Sequence, residues 1–151
     1  RTRHALRSIP LREWLPLLTL QGHDFVSLQY GECRDEVAEL ASQSGIELPH
    51  WQEALDNYSE TAALVGALDL VISVCTSVVH LAGALGKCAW VLVPVCPEWR
   101  YLSAGDRMPW YPAVRLFRQQ TLGEWPPVIA TVRDRLATIA ASQPDQIDIS
   151  R

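Results

Sequence analysis

The chain has 151 residues, of which 48% are hydrophobic and 20% are charged, and its formal net charge is −4. This composition is typical of a globular domain, and no apolar run approaches the roughly 20 residues of a membrane helix. Thirteen Lys and Arg residues against 17 acidic ones argue against nucleic-acid binding, which needs a concentrated basic face. We expect one domain over residues 1–141 and a frayed tail over residues 142–151. Because the chain opens without Met, we also expect it to be part of a longer protein.

Four cysteines are present, and they form no C-x-x-C pair and stand at no metal-ligand spacing from a histidine: Cys33, Cys75, Cys88 and Cys96. Three of them lie in or beside predicted buried strands, where a free cysteine packs as a small hydrophobic residue. We therefore expect reduced thiols, a cytoplasmic protein and no metal.

The first half of the chain alternates between helical and extended patterns. Residues 11–20 place apolar side chains on one helical face, where Pro16 should bend the helix or delay its start. Residues 25–29 form a short apolar run that predicts a buried strand. A helix is predicted over residues 34–44, with Gly45 as its end.

The middle of the chain contains the clearest pattern. Residues 50–58 are typical of a polar connection, and Ser59 is predicted to cap a helix that runs to Leu68. The next residues then read as strand, tight turn, helix and strand, with the two strands at residues 70–74 and 89–93. This order predicts a βαβ unit.

The turn of this unit carries the candidate site. Cys75, Thr76 and Ser77 stand where ligands bind in parallel sheets, beyond the carboxyl end of a strand and at a helix N-terminus. The free N–H groups and the helix dipole there suit a phosphate, and His80 returns to the same helix face as Thr76. Two ordinary interpretations stay open at this point: the hydroxyl groups only cap the helix, and His80 only packs.

The last part of the chain is less regular. Residues 94–112 form the longest stretch without periodicity, contain several aromatic residues, and are typical of a functional loop. A strand is predicted over residues 114–118, and Pro126 should begin a helix that runs to about residue 141. Together the patterns predict a three-layer, Rossmann-like α/β fold, whose parallel sheet also includes residues 25–29.

One family accounts for several of these stretches at once. The chain resembles bacterial glycosyltransferase family 9, the heptosyltransferase-like enzymes, and in particular the domain of that type found at the C-terminus of tetratricopeptide-repeat proteins. The matching stretches lie, in order, at residues 7–11, 25–29, 60–64, 70–87, 97–100, 109–112 and 115–119.

The resemblance implies the C-terminal half of a GT-B fold, which holds a nucleoside diphosphate sugar as substrate. It assigns Thr76, Ser77 and His80 to the donor diphosphate, and Gln29 with Glu32 more loosely to the nucleoside. The N–H group of Val78 is expected to bind the diphosphate as well, and Cys75 and Arg100 are secondary candidates. No metal or other cofactor is expected, because helix N–H groups and side chains stabilise the leaving diphosphate. The expected partners are the tetratricopeptide repeats or an acceptor half in a longer chain.

The chain departs from that family in two respects. Cys75 stands where the subfamily has Asp, and the first strand of the domain is missing together with the acceptor half, where the catalytic base is expected. The isolated chain should therefore be inactive, although it would form part of an enzyme. An unpaired sheet edge left by the missing strand predicts self-association, with a dimer as the expected form.

Three other functions stay open. The first is a degenerate, non-catalytic nucleotide-sugar-binding or scaffold domain, for which Cys75 is the evidence. The second is a sugar-nucleotide epimerase of similar architecture. The third is thiol chemistry, in which the helix N-terminus would lower the pKa of Cys75 beside His80.

Overall fold

The computed structural model describes residues 4–142, which form an α/β fold with an open, mostly parallel sheet flanked by helices. Short 3₁₀ turns cover Leu11–Trp14 and Trp99–Tyr101. The helices are α1 His4–Arg7, α2 Leu15–Leu18, α3 Arg34–Ser44, α4 Gln52–Asp56, α5 Tyr58–Ala67, α6 Ser77–Ala84 and α7 Pro126–Ser142. The strands are β1 Val71–Val74, β2 Ala89–Val93, β3 Arg107–Met108 and β4 Tyr111–Arg118.

The sheet has the order β1-β2-β4-β3. Strands β1, β2 and β4 are parallel, with Val74 opposite Leu92 and Val93 opposite Arg118, so their carboxyl ends meet at one edge. The short strand β3 pairs antiparallel with β4. The predicted βαβ unit is confirmed, because β1, α6 and β2 follow one another along the chain.

Strand β2 divides the hydrophobic core into two layers. All five of its residues are buried, as is typical of a strand covered on both faces. Its odd-numbered residues pack with α5 and α6, whereas Trp90 and Leu92 pack with α2 and α7. Helices therefore cover both faces of the sheet, as predicted.

One predicted strand is wrong. Residues 25–29 do not join the sheet, and Ser27 makes only an isolated bridge with His50, in which its N–H donates to the carbonyl of Pro49 at 2.9 Å. Pro49 has no N–H of its own, so this neighbour cannot extend a ladder. The apolar side chains of the run are still used, because Phe25 and Leu28 pack against different core layers.

The observed helix ends agree with the predicted ones except at the start of α5. Gly45, at φ 70°, ends α3 as predicted, and Pro16 lies in the first turn of α2 after a 3₁₀ turn. The cap of α5 is Asn57 and not Ser59, because the Asn57 side chain accepts hydrogen bonds from the N–H groups of Ser59 and Glu60. The polar connection also contains α4, whose Leu55 is buried.

Arg118 holds the irregular segment between β2 and β4 in place. Its guanidinium donates four hydrogen bonds of 2.6–3.1 Å to main-chain carbonyls of the residues Tyr101, Leu102, Ala104 and Gly105. Among residues 4–142, no helix has the length and apolar content needed to cross a membrane. The predicted tail lies outside the described residues except for Ser142, at the end of α7.

Candidate functional site

The first component of the site is the turn between β1 and α6. Thr76 occupies the N-cap position of α6 in an extended conformation, and its side chain makes no capping hydrogen bond. The Thr76 hydroxyl lies 3.1 Å from the Ser73 hydroxyl, and both Thr76 and Ser77 are exposed. The first N–H groups of a helix have no intrahelical partner, so this exposed turn presents donors and the positive end of a dipole to solvent.

Cys75 does not belong to this exposed surface. Its side chain is 4% exposed within the core layer on the α6 side, and its Sγ lies 3.8 Å from the carbonyl oxygen of Leu92. Burial raises the pKa of Cys75 to about 12, although a hydrogen bond with Tyr101 opposes the shift. The predicted lowering of this pKa is therefore wrong, because burial outweighs the helix N-terminus.

A bridge of three charged residues lies beside the turn. Nη1 of Arg7 donates to Oε1 of Glu98 at 2.8 Å, and it also lies 3.4 Å from the carbonyl oxygen of Cys75. Oε2 of Glu98 accepts from Arg100, so one carboxylate holds two guanidinium groups. All three side chains keep partial solvent exposure, between 27% and 40%. The bridge leaves a net positive charge next to the carbonyl end of β1.

His80 lies on α6 against two tyrosines. Its ring centroid is 6.2 Å from that of Tyr101 and 5.9 Å from that of Tyr111. Partial burial lowers the pKa of His80, the charge of Arg100 lowers it further, and Glu98 acts in the opposite direction. This shift favours the neutral form of the imidazole, which has one N–H to donate. We call His80, Arg7, Glu98, Arg100 and the N-terminus of α6 the strand-end cluster.

Gly83 permits the position of Tyr111. A Cβ atom at Gly83 would lie 2.3 Å from the Tyr111 ring, which is closer than any real contact. The Tyr111 ring packs directly on the α6 backbone for this reason, and it contacts His80 from there. The small residue on α6 and the aromatic residue on β4 together fix one wall of the cluster.

Two exposed tryptophans adjoin the cluster through Arg100. Trp99 is 70% exposed and Trp110 is 53% exposed, and their rings meet edge to face at 5.8 Å. The Arg100 guanidinium lies 5.6 Å from the centre of the Trp99 ring. The main-chain carbonyl of Arg100 accepts a hydrogen bond from the Trp110 indole N–H at 3.1 Å. Aromatic faces held in water next to a cationic group are suited to stacking with a ligand.

The structure does not bring the predicted nucleoside residues to this cluster. Gln29 is exposed, and its side chain donates to the carbonyl of Tyr30 at 3.0 Å. Glu32 is also exposed, and it lies close enough to Cys33 to contribute to the raised pKa of that thiol, after burial and Glu36. Within residues 4–142, neither side chain is hydrogen-bonded or ion-paired to the strand-end cluster.

Arg7 and Glu98 are missing from the sequence prediction. They are separated by 91 positions in the chain, and no local pattern indicates that they form an ion pair. The available signal was their presence in two of the stretches that resemble the glycosyltransferase family. In the described part of the chain, no group of three or more His, Cys, Asp or Glu side chains is placed to hold a metal ion.

Comparison with known proteins finds one similar region. Over 137 residues the chain is 37% identical to Protein FlbA of Caulobacter vibrioides. The aligned region covers 88% of this chain and 22% of FlbA. The chain therefore spans about a fifth of the length of that relative. No family model and no solved structure matches the chain.

Proposed function

We propose that this chain is the donor-binding part of a glycosyltransferase and binds a nucleoside diphosphate sugar at the strand-end cluster. The observation that carries the proposal is the convergence of free helix N–H groups, His80 and two guanidinium groups beyond the carboxyl end of β1. Arginine forks and helix N–H groups are the donors that proteins use most often for phosphate.

Each part of the cluster has a role in this proposal. The diphosphate accepts hydrogen bonds from the N–H groups of Thr76, Ser77 and Val78, and Arg7 and Arg100 neutralise its charge. Glu98 holds both guanidinium groups in position, and it competes with the ligand for them. As the sugar is transferred, negative charge grows on the leaving diphosphate, which the same donors stabilise.

The exposed tryptophans extend the proposal to the rest of the donor. Trp99 offers a ring face beside Arg100, and a nucleobase stacked there would gain about 1–3 kcal/mol. In this arrangement the phosphates lie at α6 and the base lies over the segment after β2. Gln29 and Glu32 are not needed for it.

A second candidate is a non-catalytic domain that binds a nucleotide sugar or serves as a scaffold. Cys75 favours it, since a buried thiol stands where the resembling subfamily has Asp. Both carboxylate oxygens of Glu98 in the strand-end cluster are also engaged by arginines. As a nucleotide-sugar-binding domain, the second candidate shares donor binding with the first and differs in whether a longer protein transfers the sugar; as a scaffold it would not bind the donor.

Calorimetric titration with uridine, adenosine, guanosine and cytidine diphosphates tests the shared step. We expect one of them to bind, and we expect His80→Ala and Arg7→Gln each to weaken that binding about ten- to a hundredfold, since each removes a hydrogen bond to a charged group. Arg12→Gln is the matched control, because Arg12 is exposed and lies outside the cluster. If no diphosphate binds, or if the control loses as much affinity, the proposal is wrong.

A further inference from the structure

A concave surface lies on the opposite face of the sheet from α6. It is a groove of about 370 Å³ between β4 and α7, with Phe117 and Val128 among its apolar lining residues and Arg115 and Arg135 among its charged ones. Along β4, Arg115 alternates with Val114 and Leu116, which pack into the core layer on the α6 side. The groove is therefore separated from the strand-end cluster by the sheet itself.

Three arginines lie at or beside this groove, and the strand register pairs two of them. Arg107 on β3 is directly opposite Arg115 on β4, a like-charge pair that is unfavourable between neighbouring strands. On its other side Arg115 is opposite Trp90, and the Arg135 guanidinium lies 5.9 Å from the centre of the Trp90 ring. We call this set, with the groove beside it, the basic groove.

The carboxylates nearby balance this charge only in part. Asp106 lies 3.8 Å from Arg115, but its side chain is 67% exposed whereas that of Arg115 is 17% exposed. Glu124 also lines the groove at an exposed position. Arg118 is a further lining residue, and its guanidinium already donates to four carbonyls.

Arg115 is the residue at which this imbalance is greatest. Burial lowers its pKa, the charges of Arg135 and Arg107 lower it further, and Asp106 opposes them. Its Nε atom is buried, and among the described residues it has no hydrogen-bond partner. A partly buried guanidinium crowded by like charges is stabilised by an anion, and its planar fork fits a tetrahedral oxyanion.

We propose that the basic groove binds a small phosphorylated molecule, with its phosphate at Arg115 and Arg135 and its organic part against Phe117 and Val128. Three arginines and two carboxylates line the groove, and this excess of positive charge favours a phosphate ligand over a singly charged carboxylate ligand. The groove has the volume of a small-molecule site, and its lining combines apolar residues with polar and charged ones. This site is independent of the proposed donor site.

Phenyl phosphate is a suitable probe, and benzoate is its carboxylate counterpart of similar size. In an amide NMR titration of the chain, we expect phenyl phosphate to shift the resonances of Phe117, Val128 and Thr131, and to bind at least tenfold more tightly than benzoate. Arg115→Gln and Arg135→Gln should each weaken phenyl phosphate binding at least tenfold. Arg135 lies on α7 and is not fully buried, so its variant serves if Arg115→Gln does not fold.

Arg133→Gln is the matched control for loss of one positive charge. Arg133 lies on the same helix, pairs with Asp134 and does not line the groove. We expect this variant to bind phenyl phosphate as the parent chain does. The proposal is overturned if phenyl phosphate shifts no resonance of β4 or α7, if benzoate binds equally well, or if Arg133→Gln loses as much affinity as Arg135→Gln.

Discussion

The strand-end cluster and the basic groove both bring arginines together, but they differ in how those charges are balanced. At the strand end, Glu98 lies between Arg7 and Arg100 and contacts both. In the groove, Arg115 stands next to other arginines and is 3.8 Å from its carboxylate partner. The first arrangement orders its cations before any ligand binds, whereas the second places like charges side by side.

This difference has a consequence for ligand binding. An anion that enters the strand-end cluster competes with Glu98, so its affinity depends on the additional donors of α6 and His80. An anion that enters the groove relieves repulsion among cations, so its affinity depends mainly on charge. The four changes below are given from the largest expected effect to the smallest; three of them act at the strand end, and one acts on both regions.

Alkaline pH should weaken the core beneath the strand-end cluster. The pKa of Cys75 rises from 9.0 to about 12 on folding, so its contribution to stability is present below pH 9 and is lost as the pH rises toward 12. The loss is about 1.4 kcal/mol per pH unit over that range. Burial also raises the pKa of Tyr101, which acts in the same direction. Urea denaturation measures the free energies of unfolding of the parent chain and of Cys75→Ala between pH 8 and pH 11. We expect the advantage of the parent chain to fall as the pH rises, and a constant difference would contradict this assignment.

Arg118→Gln should damage both regions at once. The substitution removes the guanidinium that holds four carbonyls of the segment between the cluster and the groove, at an expected cost of about 3 kcal/mol. Chemical denaturation measures this loss. Arg133 is an exposed arginine on α7, and its substitution Arg133→Gln should change stability by less than about 0.5 kcal/mol. An equal effect of the two substitutions would show that the carbonyl contacts are unimportant.

Gly83→Ala should affect the strand-end cluster alone. The added Cβ would meet the Tyr111 ring, and the displacement of that ring from His80 should cost about 1–3 kcal/mol. Gly66→Ala in α5 is the matched control, because its Cβ meets nothing within 4 Å, and it should stabilise the helix by up to about 1 kcal/mol. Thermal melts of the two variants distinguish these outcomes; equal melting temperatures would contradict the packing described for Tyr111.

Trp99→Ala should have the smallest effect, and only on the nucleoside. We expect about a tenfold loss in affinity for the bound nucleoside diphosphate, since a stacking contact is removed, and no change for inorganic pyrophosphate. Calorimetry with both ligands measures the two effects. Equal losses for both would mean that Trp99 acts on the phosphates or on the fold, and not by stacking.

The parts of the fold that depend on local sequence were predictable. The five apolar residues of β2, the glycine that ends α3 and the proline that begins α7 each indicate their structure without reference to distant residues. Residues 25–29 carry the same kind of apolar signal, but a strand also needs a partner that can donate, and Pro49 in the neighbouring segment cannot.

The candidate site was predictable only where it follows the main chain. The turn at Thr76 and Ser77 can be read from the strand and helix on either side of it. The ion pair of Arg7 with Glu98 joins residues 91 positions apart, and the pKa of Cys75 depends on burial that only the packed core reveals. Self-association through an unpaired sheet edge stays a prediction, as do the tetratricopeptide-repeat partner and the GT-B origin of the domain.

NMR spectroscopy of the chain during titration with nucleoside diphosphates tests donor binding at the strand end most directly. We predict that one diphosphate shifts the amide resonances of Thr76, Ser77 and Val78. The same ligand should raise the pKa of His80, which burial and Arg100 lower in the free chain, because the phosphate charge favours the imidazolium form. If no nucleoside diphosphate shifts these amides, or if the bound ligand leaves the pKa of His80 unchanged, the strand-end cluster is not a donor site.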